Sequence, residues 1–155
     1  MIKTKNKIII TKIEVEEIKL LRHQILWQHK PTSSQCVIDA DFDETTFHIG
    51  AKKDKEVVGT STFIKELNVK INSENQYRLR AMATAETVRG EGIGKQIIEF
   101  ALQKLKQMKV EILWCDARLK ATGFYQKIGF KTLGDIYEVP NVGPHKLMYI
   151  EIIKK

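Results

Sequence analysis

The sequence predicts an α/β protein built on one mixed, mostly antiparallel sheet of about seven strands flanked by helices. Three observations predict it. Short β-branched runs separated by polar turns fill much of the first half, and "IGKQIIEFALQKLKQM" (Ile93–Met108) repeats apolar residues at helical spacing. A glycine-rich turn joins a strand to that helix, and a short apolar strand follows, which makes one β-α-β unit in the middle of the chain.

The elements follow in order. "NKIIITKI" (Asn6–Ile13) reads as a strand. From Glu14 the pattern turns helical: Ile18, Leu21, Ile25 and Leu26 share a face, and Glu14, Glu16 and Glu17 occupy the first turn, where acids suit the helix dipole. Pro31 and "TSSQ" end that region. "TTFHIGAKK" and "EVVGTSTFIKE" are strand-like around "KDKE", the composition of a hairpin. "NQYRLRAMATAE" reads as a further strand, with Leu79, Ala81 and Ala83 on one face and Arg80, Met82 and Thr84 on the other. In the helix that follows, Ile93, Ile97, Ala101, Leu105 and Met108 form the apolar stripe. "VEILWCD" is apolar on both faces, as a central strand is. "LKATGFYQKI" is a short helix stopped by Gly129, with Phe124 and Phe130 expected in the core. "FKTLGDIYEV" and "HKLMYIEII" close the chain as two strands joined by a loop holding Pro140, Gly143 and Pro144. The order is β-α-β-β-β-α-β-α-β-β.

Composition bounds the function. The 155 residues suit a single domain, 1–155, large enough to bury a core without disulfides or metal. The net charge of +7 favours acidic partners, but the basic residues form no dense run, so a solvated surface is the better reading and no nucleic-acid partner is expected. Cys36 and Cys115 lie far apart with no second ligand at metal-binding spacing, so neither a disulfide framework nor a zinc site is expected. The N-terminal apolar run is too short for a signal peptide and no later run is long enough to span a bilayer, so a cytoplasmic protein with no membrane partner is expected. Edge strands near the C-terminus make a homodimer plausible.

The stretch "TVRGEGIGKQ" (Thr87–Gln96) spends three of nine glycines at alternate positions, where a strand gives way to a helix. Glycine disfavours helix, so something other than propensity places it there. A helix start leaves backbone N–H groups without partners, and its dipole attracts negative charge. With no side chains in the way and with Arg89 and Lys95 on either side, this is the outline of a pyrophosphate cradle. A Walker loop requires Gly-Lys-Ser/Thr, whereas Gly94-Lys95 precedes Gln96; a dinucleotide loop requires a different glycine spacing. The plain alternative is a glycine turn that only changes the chain's direction.

Arg89-x-x-Gly92-x-Gly94, after a strand and before an amphipathic helix, resembles the acetyl-CoA loop of the GNAT superfamily of N-acetyltransferases. "ATGFYQKIGF" (Ala121–Phe130) resembles that superfamily's second signature, Ala-x-x-x-Tyr-x-x-x-Gly-Phe. The strand order matches as well, so the resemblance covers essentially the whole chain. "YRLRAMATAETVRGEGIG", "LWCDAR" and "GPHKLM" further resemble an uncharacterised bacterial subgroup of it. The resemblance implies a GNAT-like (acyl-CoA N-acyltransferase) fold and an acetyl-CoA-dependent N-acetyltransferase acting by direct transfer, with acetyl-CoA as co-substrate, no metal, and a small-molecule or peptide amine as acceptor. A non-catalytic acyl-CoA-binding sensor or assembly module is the alternative.

Carried onto this chain, the resemblance places pantetheine along the backbone of Met82, Ala83 and Thr84 and the pyrophosphate at Arg89, Gly90, Glu91, Gly92, Ile93, Gly94 and Lys95. The side chain of Glu91 is awkward beside phosphates unless it points to solvent. Tyr125 becomes the general acid for the departing sulfur, since a phenol is reasonably matched to a thiol; its bland alternative is a core aromatic. Where many members carry an asparagine contacting pantetheine, this chain has Arg118. Where some members carry a glutamate base it has Arg78, which cannot accept a proton. His145, read in a loop before the last strand, is a candidate base, with His23 and His48 behind it. Arg80 would meet an acceptor carboxylate or pair with an acid such as Asp116. Arg22, His23 and Trp27, with the loop around Pro144, are the candidate acceptor pocket, to which the acidic run Asp39–Glu44 would add charge. Cys115, inside an apolar strand, is expected to be inert.

Overall fold

In the structure, a computed structural model that describes residues 7–153, the elements are β1 (Ile8–Ile13), α1 (Val15–Ile25), β2 (Phe47–Lys53), β3 (Glu56–Lys65), β4 (Gln76–Thr84), α2 (Ile93–Gln107), β5 (Ile112–Arg118), α3 (Thr122–Ile128), β6 (Lys131–Val139) and β7 (Gly143–Glu151). This is the expected order; Asn6, the expected first residue of β1, lies outside the described residues. The strands form a seven-stranded sheet in the order β1-β2-β3-β4-β5-β7-β6. The chain divides into two compact units: the first holds the chain up to Ile64 together with Arg80–Ala101, the second Lys65–Leu79 and the chain from Leu102 onward.

In the first unit β1 runs antiparallel to β2, from Ile8 opposite Lys53 to Ile13 opposite His48. Asp54 and Lys55, at φ 51° and 70°, supply the pair of left-handed residues that a two-residue hairpin between β2 and β3 requires. Helix α1 opens where the Glu17 carboxylate accepts the Glu14 N–H at 2.9 Å, and it buries Ile18, Leu21 and Arg22. Gly59 in β3 explains where α2 sits: a Cβ there would lie 2.6 Å from Ile93 Cγ2 and 3.0 Å from Ile97 Cδ1, so the helix rests on bare backbone. Ile93 and Ile97 are buried there, each contributing about 1.5–3 kcal/mol. Strand β4 departs from strict alternation. Ala81 takes φ 55°, so Leu79 and Ala83 are buried while Ala81 is not.

In the second unit β4 and β5 run parallel over Gln76–Arg78 and Ile112–Trp114, and β7 lies antiparallel between β5 and β6. Residues opposite one another share a face, so the register sorts the side chains. Arg78 stands opposite Trp114 and Trp114 opposite Tyr149; Asp116 faces Leu147; Arg118 and Tyr137 both face His145. These residues line one face. Cys115, Met148 and Ile150 line the other, where Gly129 at the end of α3 approaches the Ile150 side chain. Gly129, at φ 118°, ends α3, and Phe130 N–H closes it on the Tyr125 carbonyl at 3.0 Å.

Three expectations are corrected. Gly143 and Pro144 begin β7 rather than belonging to the preceding loop, so His145 lies within a strand. Met108 falls after the end of α2 and is exposed, and Phe124 is exposed whereas Phe130 is core. A proline is tolerated at the start of a strand because no ladder bond there needs its missing N–H.

Candidate active site

The glycine turn lies wholly in the first unit. Gly90 and Gly92 have φ 83° and 77°, and a Cβ built on either would meet nothing within 4 Å. The turn is therefore glycine because of its backbone and open on its outer side. Among its amides, Arg89 N–H donates to the Glu86 carbonyl at 3.3 Å and Glu91 N–H to the Val88 carbonyl at 3.2 Å. These two were expected to face an anion, and they serve the turn instead. Gln96 N–H donates to the Gly92 carbonyl at 3.1 Å, which is the first helical bond. The amides of Ile93, Gly94 and Lys95 precede it. Among the described residues no acceptor engages those three or the amides of Gly90 and Gly92. The side chains of Arg89, Glu91 and Lys95 are exposed, and Lys95 lies 3.8 Å from Glu99. Val88 and Ile93, both buried, anchor the turn on either side.

Just before the turn, the left-handed Ala81 costs about 1–2 kcal/mol. It is braced by Ser61 Oγ, which donates to the Arg80 carbonyl at 3.1 Å, and by Ala85 N–H, which donates to the Val58 carbonyl at 2.8 Å. Met82 and Thr84 are half-buried and Ala83 is buried. Nothing in the sequence marks this left-handed residue, because alanine disfavours the conformation.

Also in the first unit, Arg22 is fully buried and its guanidinium is bidentate on Asp41 at 2.7 and 2.9 Å. It also donates to Thr62 Oγ1 at 2.8 Å and the Cys36 carbonyl at 3.1 Å, and it lies over the Trp27 ring at 5.4 Å. Arg22 is therefore corrected from acceptor-pocket candidate to structural ion pair. Burial alone would raise the Asp41 carboxyl, but the Arg22 bonds and the Ile38 amide bring it below its usual range. His48 Nδ1 lies 2.8 Å from Thr62 Oγ1. Burial lowers its pKa and the Arg22 charge adds to this, together outweighing the attraction of Asp41. His23 Nε2, 2.7 Å from the Lys30 carbonyl, must carry a proton to make that bond, which occupies the nitrogen. A cavity of about 190 Å³ is lined by Glu14, Asp41, Asp43, Glu44, Thr46 and His48, so the acidic run does border a concave space.

In the second unit Tyr125 is 7% exposed, with Phe124 edge-on at 5.0 Å and Phe130 at 5.3 Å. Its hydroxyl has no hydrogen-bond partner among the described residues, and burial, with Cys115 nearby, raises its pKa well above the usual phenol range. The Cys115 thiol is raised by burial as well, which disfavours its thiolate. Arg118 is exposed at the end of β5. His145 is 6% exposed, and its Nδ1 lies 2.9 Å from the Gly143 carbonyl.

Asp116 pairs with Arg78. Arg78 Nη2 donates to Asp116 at 2.7 Å and Nη1 to Glu66 at 3.0 Å, with the guanidinium 4.9 Å over the Trp114 ring. Tyr137 donates its hydroxyl to the second Asp116 oxygen. Sequence reasoning passed over Tyr137 and Glu66. The signal available was one acid, Asp116, inside the apolar strand "LWCDAR", which demands a buried partner. Among the described residues no cluster of side chains is suited to a metal ion, and no helix is long and apolar enough to cross a membrane.

Residues 13–130 match the acetyltransferase (GNAT) family. The chain is 35% identical over 137 residues to the uncharacterised N-acetyltransferase YitI of Bacillus subtilis (strain 168), covering 88% of this chain and 91% of that protein. Among solved structures it resembles an aminoglycoside 6′-N-acetyltransferase complexed with coenzyme A, with a TM-score of 0.77 at 14% identity, over 95% of this chain and 98% of the other. It also resembles an acyl-CoA N-acyltransferase from Pseudomonas aeruginosa, with a TM-score of 0.73 at 20% identity, over 92% and 99%. The structural likenesses establish the fold. Joined to the family match and the relative, they place the chain in the acetyltransferase (GNAT) family, as an acyltransferase enzyme.

Proposed function

We propose that the chain, as one N-acetyltransferase domain, transfers the acetyl group of acetyl-CoA to a primary amine by direct attack in a ternary complex. The observation that carries this reading is the set of five unengaged amides at Gly90, Gly92, Ile93, Gly94 and Lys95, at the positive end of α2 and on a turn with no side chains over two of them. That set suits a pyrophosphate, and the coenzyme A bound to the aminoglycoside acetyltransferase supports a cofactor of that kind. Arg89 and Lys95 add charge, Met82, Ala83 and Thr84 offer strand backbone to pantetheine, and Arg118 is a further cofactor contact, to pantetheine or the phosphates.

The residues divide the chemistry as follows. His145 takes the proton that the amine loses as its nitrogen bonds to the thioester carbonyl carbon. When the carbon–sulfur bond breaks, Tyr125 gives its proton to the sulfur. Burial raises Tyr125 well above the usual phenol range, so at neutral pH it holds the proton that a general acid must give. In direct attack the amine bonds to the acetyl carbon itself, so the step forms no covalent enzyme intermediate.

The test is a screen of primary amines (polyamines, amino sugars, amino acids and short peptides) with acetyl-CoA, read as free thiol, on protein first shown to bind coenzyme A. Tyr125→Phe should lower kcat about 100-fold or more and leave coenzyme A affinity within about twofold, in line with a lost general acid. Undiminished turnover in that variant removes Tyr125 from the mechanism. Failure to bind coenzyme A would overturn the whole reading.

A further inference from the structure

His145 is held by more than its own strand. A carbonyl oxygen only accepts, so the 2.9 Å contact with Gly143 means that Nδ1 carries the proton. In the neutral ring Nε2 then has the free lone pair, the arrangement a base needs. Rotating the imidazole by half a turn about χ2 would remove Nδ1 from that carbonyl and swing Nε2 away. The Tyr137 ring lies against the imidazole at 6.1 Å and 29°, on the strand directly opposite.

Tyr137 is itself tethered. Its hydroxyl donates to Asp116, whose other oxygen takes Arg78 Nη2. Arg78 is fixed in turn by Glu66 and by the face of Trp114, whose Nε1 donates to the Glu66 carbonyl at 2.9 Å. The contacts thus run without a gap from the buried Trp114 to the imidazole, all on one face of the second unit. A partly buried ion triad of this kind adds little net stability once desolvation is counted, so stability is a poor reason for its presence. Orientation is a better one.

We infer that Tyr137 and Asp116 are positioning residues that lock the His145 imidazole in the Nδ1–H tautomer with Nε2 as proton acceptor. The role of that lone pair as the transferase base rests on the proposed function; the lock itself does not. The experiment is ¹⁵N NMR of the imidazole nitrogens at neutral pH, with His145→Gln to assign the signals. The wild-type protein should show one tautomer, protonated at Nδ1. Tyr137→Phe, which keeps the ring and loses only the tether, and Asp116→Ala should each give a mixture of tautomers. Asp116→Asn, which still offers an oxygen to Tyr137, should restore the single form.

The second readout uses the fastest amine found in the acceptor screen. Tyr137→Phe should lower kcat about tenfold with the KM for acetyl-CoA unchanged, because only proton transfer is affected. A wild-type ring protonated at Nε2, or a Tyr137→Phe ring that keeps the wild-type tautomer, overturns the inference. Since the NMR arm needs no turnover, failure of the transferase reading shows up separately, as no thiol release from a protein whose His145 ring is still locked.

Discussion

Arg22 and Asp41 carry full charges on side chains with no solvent exposure. Each is tolerable only because the other is there, since a buried charge without its partner faces a desolvation penalty of several kcal/mol. Asp41→Asn should therefore destabilise the protein by about 3–5 kcal/mol in urea or thermal unfolding, because it removes the counter-charge and leaves the buried guanidinium only neutral oxygens as acceptors. A loss below 1 kcal/mol would mean that the pair is solvated. Half of this pair was legible. Arg22 falls four residues after Ile18 and one after Leu21, on the apolar stripe of α1, where an arginine must find a buried acid. The other half was not legible: "DADFDE" offers three aspartates, and no rule of spacing says that Asp41 alone turns inward. His145 was one of three candidate histidines in the sequence, named for its place before the last strand, and its tautomer depends on a carbonyl two residues away that only the strand geometry brings into reach.

At the scale of elements, the order of strands and helices was readable because periods of 2 and 3.6 residues separate cleanly along this chain. The misreadings fall where local chemistry and tertiary context disagree. Gly143 and Pro144 are turn-forming residues that the β6–β7 ladder absorbs into a strand, with Pro144 opposite Glu138 and Gly143 opposite Val139. Ala81 sits in a run that reads as strand, yet it is held in a left-handed conformation by Ser61 and the surrounding backbone. The glycine turn was readable as the join between a strand and a helix, but the division of its amides into engaged and open was not, because it depends on the 3₁₀ turn at Glu86–Val88. That division has a measurable consequence. Gly92→Ala puts a Cβ on a left-handed backbone and should cost about 1–2 kcal/mol, with weaker binding of coenzyme A as the amides shift. Gly123→Ala, the same chemical change at an open position within α3, should instead stabilise the protein by about 0.5–1 kcal/mol. Thermal melts and calorimetric titration of the two variants read both signs; equal effects would show that the turn is free to take an ordinary backbone.

For the whole molecule, the buried ionisable groups set the pH range of stability. The folded-state pKa of His48 lies below its ordinary 6.5, so the unfolded chain binds that proton more readily. Its contribution is present above 6.5 and is lost as pH falls below that value, with Asp41 adding a second loss below 3.8. Tyr125 and Cys115 act at the other end. Their folded values lie above the ordinary 10.0 and 9.0, so their contributions are complete below those values and are lost as pH rises past them. The melting temperature should therefore hold a plateau between about pH 7 and 9 and fall on both sides. His48→Gln keeps a polar group beside Thr62 but cannot be protonated. It should flatten the decline between pH 7 and 5 and leave the alkaline decline untouched, because that decline belongs to other groups. A variant that melts with the wild-type acid slope would show that His48 is as easily protonated folded as unfolded, and the neutral imidazole beside the Arg22–Asp41 pair would have to be abandoned.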